Sequence, residues 1–93
     1  MEKYSKKSEI RKVRLGLIGA ITAVNLKQEG NEKEFKNYEE QARNILNYLA
    51  DPDSLAYEAL PILKEHTDTI EKARESFPEP EALNHLQKLL DIL

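Results

Sequence analysis

The chain has 93 residues, no cysteine and a formal net charge of −3. A chain of this length forms one domain, and the lack of cysteine excludes a disulfide framework and thiolate chemistry. The charge is unevenly divided, because residues 1–14 have six basic and two acidic side chains, whereas residues 15–93 have eight basic and fifteen acidic ones.

The first segment of the chain is a basic arm, of which we expect residues 1–8 to be frayed. Its basic side chains that are candidates for steering a negatively charged partner are Lys6, Lys7, Arg11, Lys12 and Arg14. Such an arm can bind an acidic protein or an anionic membrane surface, and it can also fold back onto the acidic remainder of its own chain, residues 15–93. The acidic body argues against nucleic-acid binding, which favours a basic face across the domain.

Residues 15–26 are an almost uncharged apolar run with the sequence LGLIGAITAVNL. We expect a first helix that is capped by Ser5 or Ser8, continues to about Glu29 and stops at Gly30, a favoured residue after a helix end. The run is too short to span a bilayer, which needs about 20 apolar residues. Continuation of the helical pattern into Leu26 also disfavours a cleaved secretory signal.

The apolar run must be buried on more than one side, and small residues along it suggest close contact with another helix. Two glycines within a helix cost about 1 kcal/mol each relative to alanine, and a close helix–helix approach compensates for that cost. This helix is therefore the central helix of the fold, a homodimer seam, or a surface for a membrane or an apolar ligand. The predicted interaction residues are Val13, Gly16, Leu17, Gly19, Ala20, Ala23 and Val24.

The second predicted helix is amphipathic and has one apolar face. Asn31 and Glu34 have the spacing of a capping box at its start. Its apolar positions recur at helical spacing, and they are Phe35, Tyr38, Ala42, Ile45, Leu46 and Leu49. On the opposite face, Glu39 and Arg43 have the spacing of an ion pair between adjacent turns.

Two further helices follow a break at residues 50–54, where Asp51 is a candidate cap and Pro52 a candidate first helical residue. The third has an apolar pattern made by Leu55, Ala59, Ile62, Leu63, His66, Ile70, Ala73 and Phe77. Pro61 lies inside this pattern, so we expect a kink or a short helix followed by a longer one. The prolines at positions 78 and 80 precede a leucine-rich last helix. The predicted fold is all-α, an antiparallel four-helix bundle with a long first helix and a kinked or broken third helix.

The sequence has no motif for catalysis, nucleotide binding or metal binding. His66 lies within the apolar pattern of the third helix, where a histidine is a pH-sensitive group or a hydrogen-bonded residue at the edge of a core. There is no Glu-x-x-His pair of the kind that holds a di-metal centre between helices. We therefore predict no enzyme activity, no cofactor and no metal.

The layout of the last 45 or so residues resembles that of the immunity proteins that protect bacteria from pediocin-like bacteriocins. The points of similarity are a helix that ends near Asp51-Pro52, a long third helix, and Phe77-Pro78-Glu79-Pro80 before a leucine-rich fourth helix. The resemblance implies a small antiparallel four-helix protein of bacterial origin. The long first helix with its glycines departs from that pattern.

The sequence favours a small cytoplasmic protein that acts by binding another protein and that homodimerises through the first helix. One alternative is a membrane-associated immunity-like or regulatory protein whose basic arm and apolar helix engage a lipid surface. A second alternative is a small ligand-binding bundle with an internal pocket lined by Thr22, Asn25 and His66.

Overall fold

The computed structural model describes residues 6–93, and within this range the protein is entirely helical, with no β-strand. Five α-helices and one 3₁₀ segment follow one another along the chain. They are α1 (Lys6–Gln28), α2 (Glu32–Ala50), α3 (Leu55–Ala59), the 3₁₀ segment (Pro61–Glu65), α4 (Thr67–Ser76) and α5 (Ala82–Asp91). Residue Ser5, one of the two predicted caps of the first helix, lies outside the described residues, and Ser8 lies inside α1.

The turn between α1 and α2 forms where the sequence predicts it. Gly30 has a φ of 79°, a left-handed conformation that glycine adopts without the cost of a Cβ. The backbone N–H of Gly30 donates to the carbonyl of Lys27, and that of Asn31 donates to the carbonyl of Leu26. This pair of bonds is a Schellman motif, which satisfies the last carbonyls of α1.

Asn31 also begins α2, since its Oδ1 accepts a hydrogen bond from the backbone N–H of Glu34 at 3.2 Å. The reciprocal bond of a capping box would need the backbone N–H of Asn31, and the carbonyl of Leu26 already accepts that group. The expected ion pair on the exposed face of this helix is present, with 3.0 Å between Arg43 Nη2 and Glu39 Oε2.

The core lies where α1, α2, α4 and α5 meet. α1 contacts α2, α3 and α5, whereas α4 contacts α2 and α5. The predicted apolar face of α2 is buried except for half-buried Tyr38. The largest side chains that the fold encloses completely are Leu17, Leu46, Leu49, Leu63, Ile70, Leu86 and Leu89.

The stretch predicted as the third helix is three separate segments. Asp51 is the residue after the end of α2, and its Oδ1 accepts a hydrogen bond from the N–H of Asp53 at 2.9 Å. It therefore closes a turn rather than capping α3, for which Ser54 is the residue before the first turn. Leu60 has a φ of −129° and a ψ of 74°, and this non-helical backbone ends α3 directly before Pro61.

The break at Leu60 changes which residues of this stretch are inside. Leu63, Ile70, Ala73 and Phe77 are buried, as their spacing predicts. Leu55 and Ile62 belong to the same predicted apolar pattern but are exposed. The regular period of an α-helix does not continue through a non-helical residue. Apolar residues on the two sides of the break therefore do not share one face, although their spacing is helical.

Candidate functional site

The predicted interaction residues of the first helix mostly face the interior of the protein. Five of them have no exposed surface in the folded chain, and they are Val13, Leu17, Ala20, Ala23 and Val24. This face of α1 is the central helix surface of the fold, one of the three alternatives that the sequence left open. A contact between α1 and a second folded copy must therefore use other residues of the helix.

The two glycines of this set have different surroundings. A Cβ built on Gly16 would lie 2.5 Å from Ile45 Cγ1 and 2.9 Å from Ile45 Cβ, so the glycine lets α2 approach α1 closely. A Cβ on Gly19 would have no atom within 4 Å. The expected close helix approach is thus made within one chain at Gly16, and Gly19 borders open space.

The opposite side of α1 is apolar and exposed. Leu15 is 63% exposed and Ile18 is 44% exposed. Together with four neighbours they line a shallow surface depression, and we call this set the α1 outer face: Lys7, Ile10, Arg11, Arg14, Leu15 and Ile18. Leu15 and Ile18 lie in the apolar run of residues 15–26, which has no single apolar side, so their spacing alone does not show that they are exposed.

The predicted basic side chains are all exposed, but they do not form a single cluster. Arg11 and Arg14 belong to the α1 outer face, as does Lys7. Lys12 instead lies over α2, with its Nζ 4.3 Å from the centre of the Tyr48 ring, which is a cation–π contact. Lys6 is the first residue of α1, and residues 1–5 of the predicted arm lie outside the described residues.

Glu9 is an acidic residue of α1 whose role the sequence does not reveal. It is only 5% exposed, and its Oε2 accepts a hydrogen bond from the hydroxyl of Tyr48 on α2. A carboxylate needs such a partner when it is buried. Glu9 therefore joins α1 to α2 on the inner side, and the α1 outer face keeps only basic charges.

His66 connects the 3₁₀ segment to α4 and is half-buried. Its backbone N–H donates to the carbonyl of Leu63, and its carbonyl accepts from the N–H of Ile70. The backbone of His66 is therefore hydrogen-bonded to both the 3₁₀ segment and α4.

Of the three residues expected to line an internal pocket, Thr22 and His66 are half-buried. Asn25 is exposed, and the hydroxyl of Thr22 donates to the carbonyl of Ile18, one turn earlier in α1, at 2.9 Å. His66 lies between the 3₁₀ segment and α4.

Tyr57 is the one group of the described chain with a clearly shifted pKa. Burial raises the pKa of its phenol above the ordinary value of 10.0, and the nearby Glu71 carboxylate raises it further. Tyr57 lines a surface depression with Lys64 and Asp68 between α3 and the start of α4. Its hydroxyl therefore stays protonated to a higher pH than that of a free tyrosine.

Within residues 6–93, no three side chains of His, Cys, Asp or Glu lie close enough together to hold a metal ion. In the same range, no helix has the length and apolar character that crossing a membrane requires. No protein-family model, no curated protein and no solved structure shows significant similarity to this chain.

Proposed function

We propose that this protein is a non-enzymatic interaction module that binds another protein, a second copy of itself, through the first helix. The observation that supports the proposal is the exposure of Leu15 and Ile18 on a helix whose other large apolar side chains are buried or partly buried. Isolated exposed leucines are common, but two on one short surface with basic neighbours form a patch that a partner can cover.

The apolar pair alone does not account for a stable complex. Full burial of a leucine or isoleucine yields about 1.5–3 kcal/mol, and these two side chains start out partly covered. A micromolar complex requires about 8 kcal/mol. Other contacts must therefore contribute, and Arg11 and Arg14 beside the apolar pair are the charged groups that would steer and orient a partner.

The proposal includes two further points about the molecule. We interpret α3, the 3₁₀ segment and α4 as one broken helix of an antiparallel four-helix bundle; the contacts of both α1 and α4 with α2 and α5 support this. We also propose a cytoplasmic protein, which the absence of cysteine supports.

Sedimentation equilibrium of the purified protein tests the proposed interaction. The wild type should dimerise at micromolar concentrations, and a Leu15→Ser/Ile18→Ser variant should stay monomeric. The control is Lys36→Ser, which changes an exposed residue of α2 and should leave the dissociation constant unchanged. A strictly monomeric wild type would refute the homodimer.

A second candidate is an anionic membrane surface, because Lys7, Arg11 and Arg14 border the exposed apolar pair. Clusters of basic residues gain about 1 kcal/mol each near an anionic bilayer, and salt weakens this attraction. Co-sedimentation with phosphatidylcholine vesicles, with and without phosphatidylserine, tests this candidate. Binding that requires phosphatidylserine and is lost in an Arg11→Glu/Arg14→Glu variant would favour it over the dimer.

A further inference from the structure

The described residues expose four large apolar side chains, and these form two pairs. Leu15 and Ile18 are on α1, whereas Leu55 on α3 is 45% exposed and Ile62 on the 3₁₀ segment is 39% exposed. Leu55 lies before the non-helical residue Leu60 and Ile62 lies after it, on two successive segments that contact each other. Within residues 6–93, the protein therefore has exposed apolar side chains at two places, on α1 and along residues 55–62.

The second pair has acidic neighbours. Glu58 follows Leu55 by three residues in α3, and Glu65 follows Ile62 by three residues in the 3₁₀ segment; both glutamates are exposed. Residues three apart lie on the same side of an α-helix and are eclipsed in a 3₁₀-helix. We call these four residues the acidic patch: Leu55, Glu58, Ile62 and Glu65.

The two apolar surfaces carry opposite charge. The α1 outer face has three basic side chains, Lys7, Arg11 and Arg14, and no acidic one. The acidic patch has two acidic side chains, Glu58 and Glu65, and no basic one. On each surface, an exposed apolar pair is next to charged side chains. These charges are positive on the α1 outer face and negative on the acidic patch.

We propose that the α1 outer face of one copy binds the acidic patch of a second copy, so that a symmetric dimer contains this contact twice. This inference rests on the proposed interaction through the first helix, and it identifies the opposing surface. Two α1 outer faces placed against each other would bring Arg11 and Arg14 of one copy against the same residues of the other, and like charges oppose such a contact.

A symmetric dimer of this kind needs both surfaces to lie near its twofold axis. α1 contacts α3 within one chain, so the surfaces belong to adjacent elements. A twofold axis between them sets each surface against its counterpart in the other copy, as an isologous interface requires. A standard interface covers about 800 Å² of each partner, which is about one-eighth of the 6014 Å² that this chain exposes.

Charge reversal on each surface separately, followed by mixing, tests the pairing. Arg11→Glu/Arg14→Glu makes both surfaces of a copy acidic, and Glu58→Lys/Glu65→Lys makes both basic. We expect each variant alone to have a dimer dissociation constant raised at least about tenfold, equivalent to about 1.4 kcal/mol. An equimolar mixture should form a heterodimer, because each acidic surface then faces a basic one.

Lys33→Glu/Lys36→Glu, which reverses two exposed charges on α2, is the matched control and should leave the dissociation constant unchanged. Circular dichroism checks that every variant is folded. If a reversal variant fails to fold, the neutral variants Arg11→Gln/Arg14→Gln and Glu58→Gln/Glu65→Gln replace it, each with a smaller expected loss of dimer.

The outcomes separate the two proposals. If the change at Arg11 and Arg14 abolishes the dimer while the change at Glu58 and Glu65 does not, the acidic patch is wrong and the interaction through α1 stands. If both folded variants are monomeric and their mixture also stays monomeric, the direct pairing is wrong. A monomeric wild type refutes both proposals, and vesicle binding by that monomer would assign the α1 outer face to a membrane.

Discussion

Replacement of Gly16 and of Gly19 by alanine should have different effects on the free energy of unfolding, although both glycines lie in the middle of α1. An alanine in a helix interior is about 1 kcal/mol more favourable than glycine, and this gain applies at both positions. At Gly19 the new methyl group would have no atom within 4 Å, so no steric overlap should reduce the stabilisation.

At Gly16 the new methyl group would overlap the side chain of Ile45. The distances from its position to Cγ1, Cβ and Cδ1 of that residue are 2.5, 2.9 and 2.9 Å. Ile45 cannot simply rotate away, because a β-branched residue in a helix has one strongly preferred rotamer and its Cβ is fixed to the backbone. Such overpacking costs about 1–3 kcal/mol, which equals or exceeds the helix gain.

Urea denaturation of the two variants measures the difference. Gly19→Ala should be more stable than wild type by about 1 kcal/mol, which raises the thermal midpoint of a domain of this size by about 4–8 °C. Gly16→Ala should be about 1–3 kcal/mol less stable than Gly19→Ala. Ile45→Ala should cost less in the Gly16→Ala background than in wild type, because it removes the overlapping atoms. Equal stabilisation by both alanines would refute the close contact between α1 and α2.

Three further predictions concern other parts of the fold. Because burial raises the pKa of Tyr57, the folded state favours the neutral phenol, and this contribution is complete below pH 10.0 and decreases as the pH rises above it. Urea denaturation at increasing pH should therefore show a steeper loss of stability for wild type than for Tyr57→Phe above that value, and parallel curves would contradict the assignment. Tyr48→Phe removes the hydrogen bond to the buried Glu9 carboxylate and should cost about 1–3 kcal/mol by chemical denaturation; no loss would mean that water replaces the hydroxyl. Asn31→Ala should cost about 1 kcal/mol by removing the cap of α2, whereas Asn31→Ser should be close to wild type; equal losses in both would show that the side-chain oxygen is not what matters.

Local chemistry explains which parts of this fold the sequence predicts. The end of α1 at Gly30 and the start of α2 at Asn31 depend on a left-handed glycine and an amide side chain, and both act over a few residues. The apolar face of α2 is equally clear, because its spacing leaves only one side for the core. The sequence predicts these features correctly because they do not depend on contacts with residues far along the chain.

The candidate site depends on contacts that the local pattern does not contain. The apolar run of α1 has no single apolar side, and the close approach of α2 at Gly16 determines which side is covered. As a result, five of the seven predicted interaction residues are buried, and the exposed apolar pair is Leu15 and Ile18. Further along, Pro61 indicates a break, but the spacing does not show that Leu55 and Ile62 are exposed, because tertiary packing sets the orientation of the segment on each side of the break.

The proposed dimer surface includes the least regular part of the fold, and this links binding to stability. α3 has five residues, and the 3₁₀ segment after it also has five. Such short helical pieces are not stable alone, so their order depends on what they pack against. A second copy that binds only the folded chain stabilises it by about 2.7 kcal/mol at a concentration about 100 times the dissociation constant. The thermal midpoint of the wild type should therefore rise with protein concentration, whereas that of Arg11→Glu/Arg14→Glu should rise only at concentrations at least about tenfold higher. Amide exchange of residues 55–65 should slow over the same concentrations, and a midpoint independent of concentration would show that this region is ordered by the chain itself.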